Sequence, residues 1–162
     1  IQALKDKDPV ISREALVSLE AILPAEDFKK TEKAVNAARK KHEQFQKVFN
    51  EGMRQMRLGA INDAEKSLKE AVKIKPKAAY VYSALGNLYY KTGKLIDATK
   101  AYIMATSINP EDITLKLNLG MVYYRRRAYR EATHVFSKVI KSARTKSQQG
   151  MYANKMLSKI AT

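Results

Sequence analysis

Residues 79–110 read AYVYSALGNLYYKTGKLIDATKAYIMATSINP, and this stretch decides the fold. Apolar residues recur at helical spacing from Ala79 to Lys91 and again from Leu95 to Ile108. The two segments are separated by Thr92-Gly93-Lys94 and closed by Asn109-Pro110. Such periodicity predicts two amphipathic helices, and Gly and Pro at these places predict a turn and a stop. The stretch therefore predicts a helix–turn–helix unit.

This unit recurs along the chain at one constant interval, which separates Gly52 from Gly86 and Gly86 from Gly120. The same interval relates Ala64, Ala98 and Ala132, then Ala71 and Ala105, then Pro76 and Pro110. Self-similarity at a fixed period indicates an array of units, each of which buries an apolar face on its neighbour. Because Gly86 and Ala98 are small at facing positions, the two helices of the second unit can approach closely.

The pattern resembles the tetratricopeptide repeat, in which Leu-Gly, Tyr, Ala, an aromatic residue, Ala and Pro stand at set positions. The second repeat carries all of them, as Leu85-Gly86, Tyr89, Ala98, Tyr102, Ala105 and Pro110. The third repeat carries Leu119-Gly120, Tyr123, Ala132 and Phe136, and then has Val139 and Arg144 where Ala and Pro are expected. The first repeat is the weakest match, with Val48, Glu51 and Gln55 where larger or apolar residues are usual.

The resemblance implies an all-α fold, a right-handed α-solenoid with extra N-terminal helices. Its repeats are expected at 45–78, 79–112 and 113–146. The segment 147–162 is expected to be a capping helix, since Met151, Met156, Leu157 and Ile160 stand at helical spacing beside Lys155 and Lys159. A terminal unit of such an array needs a cap with a polar outer side.

The N-terminal extension, residues 1–44, predicts two helices. Asp8-Pro9 predicts the start of a short one, at about 9–23, with Ile11, Ala15, Leu16, Leu19 and Leu23 on one side. From Ala25 to Leu58 Gly52 is the only Gly or Pro, and a stripe of Phe28, Val35, His42, Phe49 and Met56 predicts one long helix. The stripe is buried either by the short helix folding back on it or by a coiled-coil homodimer through Phe28, Val35 and Phe45.

Charge and composition limit the functions that the chain can have. The formal net charge is +15, from 31 Lys and Arg against 16 Asp and Glu, which favours acidic proteins, polyanions or anionic lipid as partners. No run of apolar residues is long enough for a transmembrane segment, so a cytoplasmic location is favoured, although the absence of Cys leaves the compartment open. Because Ile1 is not an initiator Met, we expect a piece of a larger parent protein.

Catalytic chemistry is not indicated by the residues present. The chain has no Cys; His42 lies on the stripe of the long helix, where packing explains it, and His134 lies in a second helix without a partner acid or second His at metal-binding spacing. We therefore expect no enzymatic activity, no metal and no cofactor, and we interpret both His residues as structural.

Partner binding is the function that the resemblance implies, since the first helices of tetratricopeptide repeats line a concave groove. The predicted partner-binding residues are Phe49, Asn50, Met53, Tyr80, Asn87, Tyr90, Lys91, Leu117, Asn118, Met121, Tyr124, Arg125, Met151 and Tyr152. Met and Tyr offer adaptable apolar contact, Asn can bond a peptide backbone, and Lys and Arg favour acid. The prediction is a non-catalytic scaffold that binds a peptide or an acidic protein partner.

In the alternative to this prediction, Tyr90, Met121 and Tyr124 do not contact a partner and only pack between adjacent repeats. Replacing Asn87 and Asn118 by Ala is expected to leave the contact between the two helices of each repeat intact. Some family members hold the C-terminal carboxylate of heat-shock chaperones through two Lys, an Arg and two Asn. Here the Asn pair matches, but Ser83, Gln148 and Tyr152 stand where the cations belong, which argues against chaperone-tail binding.

The second function class is binding of nucleic acid or an anionic membrane surface. It rests on the run Arg125-Arg126-Arg127 with Arg130, and on basic clusters at 29–41 and 138–146. No helix-turn-helix, zinc or RNA-binding signature accompanies these charges, and a charge run is usually a solvated surface. An acidic protein partner explains the charge equally well.

Overall fold

The computed structural model describes residues 13–142 and 147–161, and its regular secondary structure in these ranges is entirely α-helical. The helices are α1 (Arg13–Glu20), α2 (Ala25–Leu58), α3 (Ile61–Ile74), α4 (Ala79–Lys91), α5 (Leu95–Ile108), α6 (Ile113–Arg125), α7 (Tyr129–Ser142) and α8 (Gln148–Ala161). The predicted all-α fold is confirmed. The predictions for Asp8-Pro9, Ile11 and Arg144 concern residues outside the described ranges, and the side chain of Ala15 is also not described.

The chain divides into two compact units, residues 1–50 and residues 51–162. The first unit contains α1 and α2 as far as residue 50. In it, Val35 and Phe45 are buried, and the rings of Phe45 and Phe49 stack with centroids 6.0 Å apart. The helix predicted from Ala25 to Leu58 is α2. The choice between a folded-back α1 and a homodimer stays a prediction.

The second unit is a chain of nearest-neighbour helix contacts. α3 packs on α4, α4 on α5, α5 on α6, α6 on α7 and α7 on α8, with a further contact between α6 and α8. The contacts are those of a solenoid, in which each hairpin buries its apolar side on the next one. α8 closes the unit, because Ala153 and Met156 join Phe136 and Val139 in one buried cluster.

Close helix crossings inside the second unit depend on glycine. A Cβ atom placed on Gly86 would lie 2.8 Å from the ring of Tyr102, and one on Gly120 would lie 2.7 Å from the ring of Phe136. Both rings are buried. The glycines of the repeat are therefore present at these crossings because an aromatic ring occupies the space of the missing side chain.

The three hairpins turn in the same way. One or two residues after the first helix of each pair, the backbone is left-handed, with φ of 76° at Gly59, 77° at Gly93 and 61° at Arg127. The amide N–H of the left-handed residue donates to the carbonyl oxygen three residues earlier, as from Arg127 to Tyr124 at 2.9 Å. Glycine adopts such a φ without steric cost, whereas arginine does not. The third turn is therefore strained.

Candidate partner-binding face

α4, α6 and α8 are brought together by side chains that reach from one helix to the next. Arg125 of α6 contacts Tyr90 of α4, and Tyr152 of α8 contacts Met121 of α6. We call Tyr90, Met121, Arg125 and Tyr152 the tyrosine patch. All four are among the residues that the sequence predicts to bind a partner.

Arg125 is held against Tyr90 by two contacts. Its Nη1 donates to the Tyr90 carbonyl oxygen at 2.9 Å, and its guanidinium carbon lies 4.8 Å from the centre of the Tyr90 ring. The carbonyl belongs to the last turn of α4, where the helix dipole favours a cation. A guanidinium above an aromatic face gains further electrostatic attraction. The arginine is therefore oriented before any partner arrives, and most of its N–H donors are not used by this bond.

Tyr152 completes the patch from the other side. Its hydroxyl lies 2.9 Å from the Met121 sulfur. Burial, followed by the nearby Tyr90 phenol, raises the pKa of Tyr152 above its ordinary value. Because Met121 and Arg125 lie four residues apart on α6, and one contacts Tyr152 while the other contacts Tyr90, residues from three helices converge at one place. Tyr152 nevertheless keeps 39% of its surface exposed, which leaves apolar and polar area for a partner.

Asn87, one turn before Tyr90, has a role that the sequence did not predict. Its side-chain oxygen accepts a hydrogen bond of 2.6 Å from the hydroxyl of Tyr102, which is buried in the seam between α4 and α5. The expectation that both Asn residues can be replaced without touching the seam is therefore wrong for Asn87. Its replacement by Ala would leave the Tyr102 hydroxyl without this acceptor.

A comparison across the repeat would have revealed this pair. Positions 87 and 102 hold Asn and Tyr, whereas the equivalent positions of the next repeat, 121 and 136, hold Met and Phe. The polar pair of one hairpin becomes an apolar pair in the next. Asn118 lies on α6, three residues before Met121, and is half-buried. It remains the cleaner of the two Asn positions for a test of ligand binding.

The other predicted residues divide by their surroundings. Leu117, Met121 and Tyr124 are half-buried against the cluster around Phe136, and the Tyr124 ring also lies 5.8 Å from that of Tyr129. All three therefore take part in packing, and contact of any of them with a partner stays a prediction. Exposed positions of the second unit are Tyr80, Lys91 and Met151, while Met53 is half-buried. Phe49, which is half-buried, and Asn50, which is exposed, belong to the first unit.

Among helices α3 to α8 of the second unit, the acidic residues are confined to α3, α5 and α7, the second helices of the hairpins. The charged residues of α4, α6 and α8 are Lys91, Lys116, Arg125, Lys155 and Lys159, without an Asp or Glu. α3, α5 and α7 carry all the carboxylates of these helices, such as Glu65 and Asp97. The face formed by α4, α6 and α8 is therefore positive, which favours an acidic partner.

The arginine run has structural roles that its sequence does not reveal. Arg125 is held on Tyr90, and Nη1 of Arg126 donates to the Thr99 hydroxyl at 3.1 Å, linking α6 to α5. Arg127 forms the left-handed turn. A run that looks like a phosphate-binding strip thus contributes to contacts between repeats.

The described residues bring no three His, Cys, Asp or Glu side chains together in a cluster suited to a metal ion. Among the described helices, none combines the length and apolarity that crossing a lipid bilayer requires.

Comparisons with known proteins agree on the repeat. Two family models match the chain, a TPR repeat at residues 54–93 and a tetratricopeptide repeat at residues 79–112. No curated protein matches it.

Solved structures share the fold at low sequence identity. The first TPR of Spaghetti (RPAP3) bound to an HSP90 peptide is 14% identical over 74% of this chain and 91% of that one, with a TM-score of 0.64. The Arabidopsis OM64 TPR domain is 18% identical over 74% and 98%, also at 0.64. PcrH in complex with the chaperone binding region of PopD is 14% identical over 74% and 92%, at 0.65. At these identities the likeness concerns the fold alone.

Proposed function

This chain is a tetratricopeptide-repeat protein, and from that premise we propose that it is a non-catalytic interaction module. It binds a peptide segment of a protein partner on the face formed by α4, α6 and α8. The observation that carries the proposal is the tyrosine patch. The alternate helices α4, α6 and α8 contribute to it, and its side chains hold one another in place while Arg125 and Tyr152 stay exposed and Tyr90 and Met121 are half-buried.

Preorganisation is the reason why this patch suits binding. Ordering a flexible side chain in an interface costs about 0.5–1.5 kcal/mol, and Arg125 has already lost much of that freedom. Tyr and Met supply apolar area that adapts to a ligand, and Tyr and Arg are enriched at the energetic centres of interfaces. The patch is therefore suited to receive an apolar side chain beside an acidic one.

The charge of the surrounding helices indicates the chemical character of the partner. Since the charged side chains of α4, α6 and α8 are all Lys or Arg, an acidic segment with apolar anchors fits this face best. Two of the structural relatives are complexes with peptide segments, an HSP90 peptide and a region of PopD, which supports peptide binding by this fold. Because Ser83, Gln148 and Tyr152 replace the cations of a carboxylate clamp, we propose an internal segment instead of a chaperone tail.

The test compares charge reversals on the two sides of the second unit. A partner captured with the whole chain is reduced to its binding peptide, and affinities are measured by calorimetry. Lys91→Glu and Lys155→Glu should each weaken binding about three- to tenfold, because each reversal sets a like charge against an acidic ligand. Lys138→Glu makes the same change on α7 and should leave the affinity within about twofold. Equal losses in all three variants would mean that only net charge matters.

Asn118→Ala tests the hydrogen bonding of the same face. Loss of one net hydrogen bond should weaken the peptide by about 0.5–1.5 kcal/mol, or roughly two- to tenfold. The thermal midpoint should stay unchanged, because Asn118 is not the acceptor of the Tyr102 hydroxyl. An unchanged affinity would remove Asn118 from the site.

Polyanion binding gives a different pattern of results. Nucleic acid would co-purify with the chain, and its affinity would fall steeply with salt as counterions are released from phosphates. We expect only moderate salt dependence. Steep dependence together with indifference to Asn118→Ala would replace the proposed function by the second one.

A further inference from the structure

The side-chain amide of Asn87 is held in one orientation by Tyr102. The buried ring of Tyr102 passes α4 where Gly86 has no side chain, and its hydroxyl donates to Oδ1 of Asn87 at 2.6 Å. In a planar amide the oxygen and the nitrogen point in different directions. Because Oδ1 faces the Tyr102 hydroxyl, the Nδ2 nitrogen of Asn87 faces away from it.

The burial of Tyr102 disfavours the reverse orientation of this amide. If Nδ2 faced the phenol, the hydroxyl would accept a hydrogen bond, and the structure shows no other acceptor for its proton among the described residues. Burial, and after it the Tyr90 phenol, raises the pKa of Tyr102 above its ordinary value, so the hydroxyl keeps this proton at neutral pH. A buried donor without an acceptor is costly, and Oδ1 therefore stays on the Tyr102 side.

The outward half of the Asn87 amide is not used within the described part of the chain. Asn87 is exposed, although Gly86 and Leu88 on either side of it are buried. Among the residues that the structure describes, its Nδ2 nitrogen donates no hydrogen bond. Two N–H groups in a set orientation are therefore available to a ligand.

The neighbouring repeats show that the helix crossing does not need a polar pair. Positions 87 and 102 correspond to Met53 and Leu68 one repeat earlier. One repeat later they correspond to Met121 and Phe136. Leu68 and Phe136 are buried at the glycine of their own crossing, just as Tyr102 is. A polar pair that close packing does not require indicates a role outside packing.

The N–H groups of Asn87 lie next to the tyrosine patch. On α4, Asn87 precedes Tyr90 by three residues and Lys91 by four, a spacing that places them on one side of the helix. Lys91 and Arg125 are charged donors, which match carboxylates. The amide of Asn87 is a neutral donor, and it matches the neutral carbonyl oxygens that recur along an extended peptide backbone.

We propose that Tyr102 is a positioning residue, which orients the Asn87 amide so that its N–H groups donate to a main-chain carbonyl oxygen of the bound segment. Tyr102 lies in the seam between α4 and α5 and does not touch that segment. The inference rests on the proposed function, since it concerns a peptide on the face of α4, α6 and α8. It adds the chemistry by which this face holds the backbone of the peptide.

The test is a double-mutant cycle of binding affinity between positions 87 and 102. The probe is a short capped peptide with one Leu between Asp and Glu residues, titrated into the isotope-labelled whole chain. The side-chain amide signals of Asn87 should move downfield on binding. Asn87→Met should weaken binding about two- to tenfold, which corresponds to one net hydrogen bond. Tyr102→Phe leaves Asn87 in place and should weaken binding about two- to threefold, because the amide is no longer preorganised.

The cycle separates a positioning role of Tyr102 from a packing role. In the Asn87→Met background, Tyr102→Phe should have no further effect on the affinity, since Tyr102 acts through Asn87 alone. The double variant carries the pair of the next repeat, and its circular dichroism spectrum should match that of the native chain. If Tyr102→Phe weakens binding equally in both backgrounds, Tyr102 acts through packing and the proposal is wrong.

A second peptide identifies the acceptor that Asn87 binds. With Asn and Gln in place of Asp and Glu, the peptide keeps its main-chain carbonyls and loses its carboxylates. Asn87→Met should weaken the binding of both peptides by the same factor. A loss confined to the acidic peptide would show that Asn87 binds a carboxylate, and would overturn the assignment of a main-chain carbonyl.

Failure of this inference differs from failure of the proposed function. Peptide-induced shifts on α4, α6 and α8, with unmoved side-chain signals of Asn87 and native affinity in Asn87→Met, would overturn the roles of Asn87 and Tyr102 alone. If saturating concentrations of both peptides move no signal of these three helices, binding on this face is wrong, and the inference fails with it.

Discussion

In the α4–α5 hairpin the hydroxyl of Tyr102 donates to Asn87, whereas the α6–α7 hairpin holds Phe136 and Met121 at the same two positions. The difference extends to the contacts that each hairpin makes with the helix before it. Glu65 of α3 accepts from Tyr89 at 3.0 Å and lies 3.1 Å from Lys94 and 2.7 Å from Lys69. The equivalent position on α5 is Thr99, whose hydroxyl accepts from Arg126.

The two hairpins therefore share their crossing and differ in their polar contacts. Gly86 faces Tyr102 just as Gly120 faces Phe136, because the register fixes where the helix backbones meet. Around that crossing, the α4–α5 hairpin is joined to α3 by the Lys94–Glu65 ion pair and the Tyr89–Glu65 hydrogen bond, and the α6–α7 hairpin is joined to α5 by the hydrogen bond from Arg126 to the neutral Thr99 hydroxyl. Close packing determines the fold, and the polar positions are free to take other roles, including partner binding.

The largest expected effect comes from filling the crossing. Gly120→Ala would place a Cβ atom 2.7 Å from the buried Phe136 ring, so that ring or the helix must shift. We expect a loss of about 2 kcal/mol in the free energy of unfolding, measured by urea denaturation, and a similar loss for Gly86→Ala.

Gly52→Ala is the matched control. Its Cβ atom would meet Leu68 at 3.0 Å, and a leucine side chain adjusts more easily than a ring. The gain of about 1 kcal/mol in helix propensity should then offset most of the strain. Equal destabilisation by all three substitutions would show that the aromatic ring is not the cause.

The Tyr102–Asn87 pair gives the next effect. Asn87→Met introduces the residue of the next hairpin and leaves the Tyr102 hydroxyl without its acceptor, which should cost about 1–1.5 kcal/mol. Adding Tyr102→Phe reproduces the pair of the α6–α7 hairpin and should restore most of that loss. A double variant as unstable as Asn87→Met alone, in a double-mutant cycle of urea midpoints, would contradict the assignment.

The ion pairs around Glu65 predict a dependence on acid pH. The hydrogen bond from Lys69, with those from Lys94 and Tyr89, lowers the pKa of Glu65 to about 2, against 4.5 for the unperturbed carboxyl. A lowered pKa means that the carboxylate stabilises the fold above pH 4.5, and that this stabilisation is lost as the pH falls towards 2.

Glu65→Gln should remove this part of the acid dependence. The variant should be about 1 kcal/mol less stable than the native chain at neutral pH, since the ion pairs are partly screened, and should approach it near pH 2. A difference that stays constant from pH 7 to pH 2 would show that the charge of Glu65 has no part in the junction.

The smallest expected effect is a stabilisation. Arg127 has φ of 61° where the two earlier turns have Gly59 and Gly93. Arg127→Gly should raise the free energy of unfolding by about 0.5–1 kcal/mol, because glycine relieves the left-handed strain but loses more entropy on folding. The reverse change, Gly93→Arg, should lower it by a similar amount. If thermal midpoints move the other way, the third turn is not strained.

The sequence predicted the helices because their signals are local. A constant period, with small residues at each crossing and Gly at two of the three turns, sets where helices start, meet and stop, so α3 to α7 could be placed without coordinates. The tyrosine patch was predicted only as a set of residues. That Arg125 lies on Tyr90, or that Asn87 accepts from Tyr102, depends on rotamers and helix spacing, which no local pattern encodes. The contacts of Arg125 and Arg126 with other helices could not be predicted for the same reason.

The most direct test of the account places a photoreactive benzophenone side chain on each side of the second unit of the whole chain. Met151 is 62% exposed on α8, and Lys138 is exposed on α7. With a partner bound, the probe at position 151 should crosslink to a protein segment rich in acidic residues, and the probe at position 138 should not crosslink to that segment. Crosslinking of that segment from position 138 alone, or crosslinking of nucleic acid from position 151, would contradict binding on the face of α4, α6 and α8.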